Sequence, residues 1–568
     1  MSNSRDNLKK ESPQLVPVVV RYHGEGEAAR EWTTRDLEGE VERAGGALVN
    51  SGLERGDSFV LGFGENTVED LAFRLGAARV GVVPVTINWQ ADSATRVCYK
   101  VRTTGASAIV VHPSLDPGLV EEVLRECPGL VVIDATRGDD AGEVTAVVSD
   151  AESDPESPRL ILFTSGTTGV PKGVIHSHRS YQRNRALFES FLEVEPDKLL
   201  GMIVVNPLHH ANSSAICDWA MRRPGSVIEL LPRYGRHYWS VLKACVEREP
   251  ERLFIAPLVA RHFDILESLI DEGAPQVAGL ERCLKRVVFL LGSAPVGPTT
   301  IDRLVKLTGR VPTVRFGSTE LCLQALGTPT HLASASRLRA FERGWDGSES
   351  KGVEGYYIGR PHRGFTEARI VHSVAVEHPD YLRECEEGES GTLVVKSACA
   401  MSGYHGQPEA SSAVWGREWY LGLGDIGYWL TSEEDGEHDF YWVSRVSGLL
   451  IRGGANYSCE QISADLRKLV ERFFNLSKDD FDIAVVGLKR TSEHEDDCCV
   501  TVELKTPKGQ GSRDDLEGRL IDVCREELSK AKVPDVIRFG PIPRNFKGAL
   551  LAMDLERDFL KWCSQKGI

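Results

Sequence analysis

The sequence predicts an α/β protein. It has a large N-terminal domain of βαβ subdomains plus a β-rich subdomain, and a small, mobile α+β C-terminal domain follows. Three observations predict this. The chain of 568 residues is too long for one ordinary core. Short apolar runs alternate with helical stripes through about residue 330. Beyond residue 446 the texture changes to one half-buried strand and one amphipathic helix.

The first unit starts at the apolar run Phe59–Phe63, which Gly64-Glu65-Asn66 breaks. Val68, Leu71, Ala72 and Leu75 then recur at helical spacing, Gly81 stops the helix, and Val82-Val83-Pro84-Val85 resumes as a strand. Segments 389–396 and 440–443 read as strands of the β-rich subdomain, and 331–357, rich in Ser, Arg and Gly, reads as an exposed insertion or loop. In the tail, Val500, Val502 and Leu504 alternate with polar residues, and Ser512 is placed to cap a helix carrying Leu516, Leu520 and Val523. The expected division is 1–444, a hinge at 445–448, and 449–568.

Composition excludes several classes. A net charge of −16 argues against nucleic acid or an anionic membrane as partner, because phosphate backbones require basic patches. The thirteen cysteines show no CxxC spacing and read as reduced thiols rather than a disulfide framework or a metal cluster. The N-terminal stretch has no long apolar segment after its charges, so the expected compartment is the cytoplasm.

The strongest chemical signal is the apolar strand Leu160–Phe163 running into Thr164-Ser165-Gly166-Thr167-Thr168-Gly169-Val170-Pro171-Lys172-Gly173. Glycines let backbone N–H groups approach an anion, hydroxyls donate to phosphate oxygens, and Lys172 adds charge. The Walker spacing GxxxxGK[ST] is not met. Further motifs follow in order: Asn206-Pro-Leu-His209-His210; Gly292-Ser293-Ala294-Pro295; Arg315-Phe316-Gly317-Ser318-Thr319-Glu320; Gly359-Arg-Pro361; Met401-Ser-Gly-Tyr404; Trp419 to Gly427; and Arg445 to Asn456. Together they resemble the adenylate-forming acyl-CoA synthetases, from about Trp32 to Leu555.

The resemblance implies a two-step reaction. A carboxylate attacks ATP to give acyl-AMP; the C-terminal domain then rotates and a thiol, usually that of coenzyme A, displaces AMP. It implies nucleotide contacts at Thr164–Gly169, Lys172, Gly292–Pro295, Phe316, Gly317, Thr319, Asp425 and Arg445. Asp425 would hold the ribose hydroxyls, since a carboxylate accepts two O–H donors. Phe316 would lie along the adenine, and Glu320 would bind Mg²⁺ beside the phosphates. His210 would gate the acyl pocket and the thiol tunnel. His209 (in place of a usual aromatic), Ser213 and Ser214 would line the pocket. Gly453 and Gly454 would admit the pantetheine arm, with Gly454 at the catalytic centre. Ser447 stands at the hinge, where Gly448 permits wide backbone change.

One departure sets the expected function. The family's near-C-terminal loop places a Lys after a Gly, and that cation stabilises charge developing on phosphorus. Here Pro543-Arg-Asn-Phe-Lys547-Gly548-Ala549 puts Ala at that position. Loss of one preorganised charge typically costs about 10²–10³ in rate, whereas thiolation does not use it. The expectation is a non-adenylating enzyme. It would take preformed acyl-AMP from a separate adenylating enzyme and transfer the acyl group to CoA, similar to the separated ligase half of platensimycin-type diterpenoid biosynthesis. Two alternatives stay open: a complete ATP-dependent ligase, with Ala549 an engineered Lys-to-Ala change or Lys547 substituting, and an adenylate-binding pseudoenzyme. ATP and Mg²⁺ would be needed only if adenylation is retained.

Overall fold

The computed structural model describes residues 18–137, 154–164, 171–293, 295–445, 448–453, 455–544, 550 and 552–567. The expected βαβ unit is present. Strand Ser58–Gly62 leads into helix Val68–Val80, which Thr67 caps by accepting from the Asp70 N–H. Gly81 closes the helix with φ of 78°, a left-handed conformation that glycine adopts at little steric cost. Strand Val83–Thr86 then pairs parallel with Ser58–Gly62.

Two sheets organise the chain up to Arg445. In the seven-stranded sheet, Ser58–Gly62 and Val83–Thr86 are extended by Ala108–Val111, Val131–Asp134, Pro158–Thr164, Lys172–Ser177 and Gly403–Tyr404. The other sheet has fifteen strands. One end is a parallel run of Val18–Tyr22, Ser226–Leu230, Leu200–Val204, Leu253–Leu258, Val287–Leu291 and Thr313–Phe316. Its strands are near-continuous apolar runs because helices cover both faces. The short strand Leu326–Gly327 then reverses direction. From there Tyr356–Pro361, His438–Arg445, Asp425–Thr431 and Gly391–Ser397 continue the sheet antiparallel, as the β-rich part.

The C-terminal region has its own core. Hairpin Leu449–Arg452/Ala455–Ser458 precedes a three-stranded sheet of Phe481–Leu488, Asp497–Leu504 and Val536–Phe539. Helices Cys459–Phe473 and Arg513–Glu527 bury Leu466, Val470, Leu516 and Leu520 against one cluster, while helix Ala552–Lys566 buries Leu555 and Phe559 against another. A small region with a separate core moves as a body when few contacts cross to its neighbour.

Two expectations are corrected. Segment 331–357 is not simply an exposed loop: it holds helix Ser334–Asp346, with Ala340, Phe341 and Gly344 buried. The helix packs so closely that a Cβ at Gly344 would lie 2.5 Å from the Gly355 carbonyl. Ser512 does not cap through its side chain. It joins two consecutive helices, and its hydroxyl donates backwards to the Lys508 carbonyl at 3.2 Å. No helix among the described residues is long and apolar enough to cross a membrane. All thirteen cysteines are free thiols.

Candidate active site

A cavity of about 410 Å³ opens at the carboxyl ends of the parallel strands. That is where ligands bind in open α/β sheets, because the loops there are free to carry function. Thr164, His210, Gly292, Ser293, Gly317, Thr319 and Glu320 line it from the N-terminal side, and Gly453 and Tyr457 line it from the C-terminal region.

One side of the site is built by a hairpin. Pro158–Thr164 and Lys172–Ser177 pair antiparallel with Thr164 opposite Lys172, so the intervening loop starts and ends at one place. Ser165, Gly166, Thr167, Thr168 and Gly169 lie outside the described residues. The Lys172 ammonium sits 4.8 Å from the Tyr404 ring centroid, a cation–π distance. The Tyr404 hydroxyl donates to Glu320 Oε1 at 3.1 Å. Lys172 and Glu320 are thus bridged by one aromatic side chain on the short strand Gly403–Tyr404. Beside them His176 is fully buried, with Nε2 donating to the Thr319 carbonyl at 2.7 Å. Burial pulls its pKa down to about 4, so it is a neutral positioning group for the Thr319–Leu321 turn.

Asp425 is held by a residue that sequence reasoning missed. Asp425 is fully buried at the start of strand Asp425–Thr431, and its Oδ1 accepts from the Trp442 indole N–H at 2.8 Å. Arg445 is directly opposite Asp425 in the ladder; its side chain lies outside the described residues. Phe316 packs beside the apolar cluster of Leu321, Leu326 and Tyr404. Ser293 has φ of 70°, a left-handed conformation uncommon for a non-glycine residue. Pro295 follows it, and Ala294 lies outside the described residues.

The His loop is clamped by Asn66, another residue without a local sequence signal. Its amide donates to the Asn206 and Leu231 carbonyls at 3.1 Å and accepts from the Leu208 N–H at 2.8 Å. This fixes the entry to helix Ala211–Arg222, where His210 is the N-cap residue. The His209 and His210 rings lie 4.3 Å apart, and His209 meets the Trp89 ring edge-on at 5.7 Å. Burial, then the nearby Lys100 charge, lowers the His210 pKa to about 4; burial and then His210 lower that of His209 well below the usual range. Lys100 is itself buried and pairs with Asp92 at 2.5 Å.

The expectation that Ser213 and Ser214 line a roomy pocket is not met. Both are buried within the helix packing, and the Ser214 hydroxyl shares a hydrogen bond with the Tyr181 hydroxyl at 3.1 Å. The cavity wall at this helix is formed by His210, Ala211 and Asn212.

From the C-terminal region Gly453 enters with φ of 58°, and its N–H donates to Glu495 at 3.0 Å. Tyr457, Ile462 and Lys532 complete that wall, with Lys532 paired to Asp465 at 2.8 Å. Gly454, Ser447 and Ala549 lie outside the described residues. Docking contacts flank the cavity. The Glu493 carboxylate accepts from the Thr299 hydroxyl at 2.7 Å and its N–H at 3.1 Å, capping helix Pro298–Thr308 from across the gap. His494 Nε2 meets Asp264 at 2.7 Å. The Lys489 ammonium lies 4.3 Å from the Tyr356 ring centroid and 5.4 Å from that of Trp442.

A large α/β region and a small α+β region sharing one polar cavity define a two-body ligand-handling enzyme. The family model described as AMP-binding enzyme matches residues 10–405, and the chain belongs to that family. It is a member of the superfamily of adenylate-forming enzymes that holds the acyl-CoA synthetases (ligases). A long-chain-fatty-acid–CoA ligase of Mycobacterium tuberculosis is 26% identical over 528 residues, covering 91% of each chain. Among solved structures, an o-succinylbenzoate CoA synthetase double mutant from Bacillus subtilis, bound to a product analogue, superposes with a TM-score of 0.72 at 20% identity over 96% of each chain. ATP-bound MatB from Rhodopseudomonas palustris gives 0.61 at 20% identity over 97% of each.

Proposed function

We propose that this enzyme transfers the acyl group of a preformed acyl-AMP to CoA and releases AMP. One combination of observations carries the reading. The C-terminal region is docked with Gly453 and Tyr457 in the cavity wall, while the loop that would supply the adenylation cation has Ala549 in the Lys position.

This reading assigns the following roles. Asp425, fixed by Trp442, accepts the ribose hydroxyls of the adenylate. Thr164, Lys172, Gly292 and Thr319 surround its phosphate. Glu320 offers an oriented carboxylate oxygen, which fits a hard cation such as Mg²⁺ that keeps most of its water and phosphate ligands. Such an ion would neutralise phosphate charge when bound. Gly453 admits the pantetheine arm. The thiol sulfur bonds to the acyl carbonyl carbon, the C–O bond to phosphate breaks, AMP leaves with that electron pair, and the thiol proton is released. His210 stays uncharged at this wall, so it can hydrogen-bond the adenylate without competing for its phosphate. A separate adenylating enzyme in the same compartment, the cytoplasm, is the partner this reading requires. The likeness to the ligase half of diterpenoid biosynthesis rests on Ala549.

Lys532 favours a second reading, a complete ligase, because it is a cation on the cavity wall. Its pairing with Asp465 makes it a poor substitute. The test is two assays on the same enzyme. Synthetic acyl-AMP plus CoA is expected to yield acyl-CoA and AMP, while ATP–pyrophosphate exchange with the free acid stays at background. Ala549→Lys is expected to raise exchange by about 10²-fold. Substantial exchange by the unaltered chain sinks the non-adenylating reading, and its loss in Lys532→Ala would assign adenylation to Lys532.

A further inference from the structure

The acyl end of the cavity is polar in an unusual way. Arg315 sits on strand Thr313–Phe316, at the end of the parallel run, and is 5% exposed. The alternation of the strand sends Val314 into the apolar cluster on one face and leaves Arg315 on the other. Its Nη2 donates to Asn212 Oδ1 at 3.0 Å, two residues along the helix from His210, and both Arg315 and Asn212 line the cavity. The remaining nitrogens, Nε and Nη1, are enclosed and have no acceptor. Three other buried guanidinium groups pair with carboxylates, Arg21 with Glu229, Arg159 with Asp218 and Arg360 with Asp439, whereas Arg538 donates to the Thr501 hydroxyl. Arg315 has no carboxylate among the described residues, and burial alone pulls its pKa down to about 9.

The surroundings repeat the pattern. Gln324 is fully buried, and neither its amide nitrogen nor its amide oxygen has a partner. Its Cα lies 2.7 Å from where a Cβ on Gly317 would stand, next to the Arg315 strand. His362 Nε2 is also enclosed without a partner, and the Arg315 charge acts on its ring. A buried donor left without an acceptor is strongly unfavourable, and more so when charged. A plain hydrocarbon chain lying here would leave the Arg315 nitrogens unsatisfied. An oxygen acceptor on the acyl group would satisfy them, and an anionic one would also offset the guanidinium charge.

We propose that the acyl group of this enzyme carries a second oxygen acceptor, a carboxylate or a ketone, and that Arg315 selects it. The proposal rests on the reading that the cavity holds an acyl adenylate. A methyl-terminated chain is the class it selects against.

The experiment compares three adenylates of one chain length on the full chain: octanoyl-AMP, its terminal-carboxyl counterpart and its 7-oxo counterpart, each with CoA. At least one acceptor-bearing adenylate is expected to show kcat/KM tenfold or more above octanoyl-AMP. Arg315→Met is expected to bring that ratio close to one, and Arg315→Lys to retain part of it for the carboxylate. Because the ratio is read within one protein, partial misfolding of a variant cancels; Asn212→Leu, which removes the acceptor holding the guanidinium, is a second variant expected to shrink it. Equal kcat/KM for all three adenylates in the unaltered enzyme overturns the proposal, and a ratio that survives Arg315→Met overturns the role of Arg315. If no adenylate yields acyl-CoA, the thioester-forming reading falls. Calorimetric binding of the matching non-hydrolysable acyl-sulfamoyl adenosines then decides the proposal by the same tenfold criterion.

Discussion

On the N-terminal side of the cavity the polar groups are buried and tied to groups distant in the chain. Asp425 is held by Trp442, Asn66 clamps the His loop, and Arg315 meets Asn212. On the C-terminal side the groups that touch the cavity or dock beside it are few: Gly453, Tyr457 and Glu493 are exposed or half-buried, and His494 is buried against Asp264. Buried networks in a low-dielectric interior adopt one arrangement and resist change. Exposed ion pairs and single caps contribute little each, so many of them can be exchanged. Under the proposed function, the contrast separates a fixed adenylate cradle from a detachable arm that brings the thiol channel to it.

The largest expected effect comes from breaking the cradle. Asp425→Ala removes a charged acceptor for two ribose hydroxyls, and hydrogen bonds to charged groups contribute about 1.5–3 kcal/mol each. Affinity for an acyl-sulfamoyl adenosine should fall by about 10²-fold, measured by calorimetry. Trp442→Phe keeps the ring and deletes the N–H that fixes Oδ1, so about tenfold is expected. Unchanged affinity in both variants would mean that the nucleotide does not rest on this carboxylate, and the two-wall comparison would lose its fixed side.

The parts of this cradle that were legible in the sequence are the local ones. The strand Leu160–Phe163 with its hydroxyl-rich loop, the motif Arg315 to Glu320, and the glycine-flanked segment around Asp425 each announce themselves within about ten residues, because turn and strand chemistry is local. The helix after Ser58–Gly62 and its Gly81 stop were readable for the same reason. Trp442, Asn66 and Tyr404 were not. Each acts across a long sequence separation, and nothing in a run of side chains states which distant carboxylate or carbonyl it meets. Ser213 and Ser214 failed differently. Small polar residues near His210 suggested a pocket wall, but both are buried in the helix packing, and the Ser214 hydroxyl is taken up by Tyr181, a partner distant in the chain. The helix in 331–357 was hidden by its Ser, Arg and Gly content, since its stability comes from packing of Phe341 and Ala340 rather than from composition.

The comparison sharpens if the two regions answer pH with opposite signs. His262 and His362 are buried on the N-terminal side, and burial lowers both pKa values to about 3. Between that value and the unfolded value near 6.5, the unfolded chain binds more protons, so stability is full above about pH 6.5 and is lost as pH falls. Each group can contribute a loss of up to about 2 kcal/mol between pH 6.5 and 5. Glu556, on the helix Ala552–Lys566, behaves in reverse. Burial and then Asp496 raise its pKa to about 7, so the folded state binds the extra proton and its contribution is lost as pH rises from about 4.5 through 7. Hydrogen exchange at pH 5 and 7, corrected for intrinsic rates, should show the N-terminal sheets less protected at pH 5 and the C-terminal helix less protected at pH 7. A common direction in both regions would contradict this assignment.

The smallest effect tests the detachable arm itself. Glu493 caps helix Pro298–Thr308 through the Thr299 N–H and hydroxyl, yet it belongs to the C-terminal region, so the bond exists only while the regions are docked. A capping interaction contributes about 1 kcal/mol, and the helix keeps water as an alternative acceptor when the arm leaves. Glu493→Ala should therefore leave the melting temperature nearly unchanged and weaken docking by about fivefold. The thioester-forming step, followed by quenched single-turnover reaction of bound acyl-AMP with CoA, should slow by about that factor, while affinity for the acyl-sulfamoyl adenosine stays the same. His494→Ala, which removes the contact to Asp264, should act in the same way, and the two changes together should multiply if each is an independent docking contact. Loss of adenylate affinity in either variant would instead place Glu493 or His494 in the cradle, and the division between a fixed wall and a moving one would have to be redrawn.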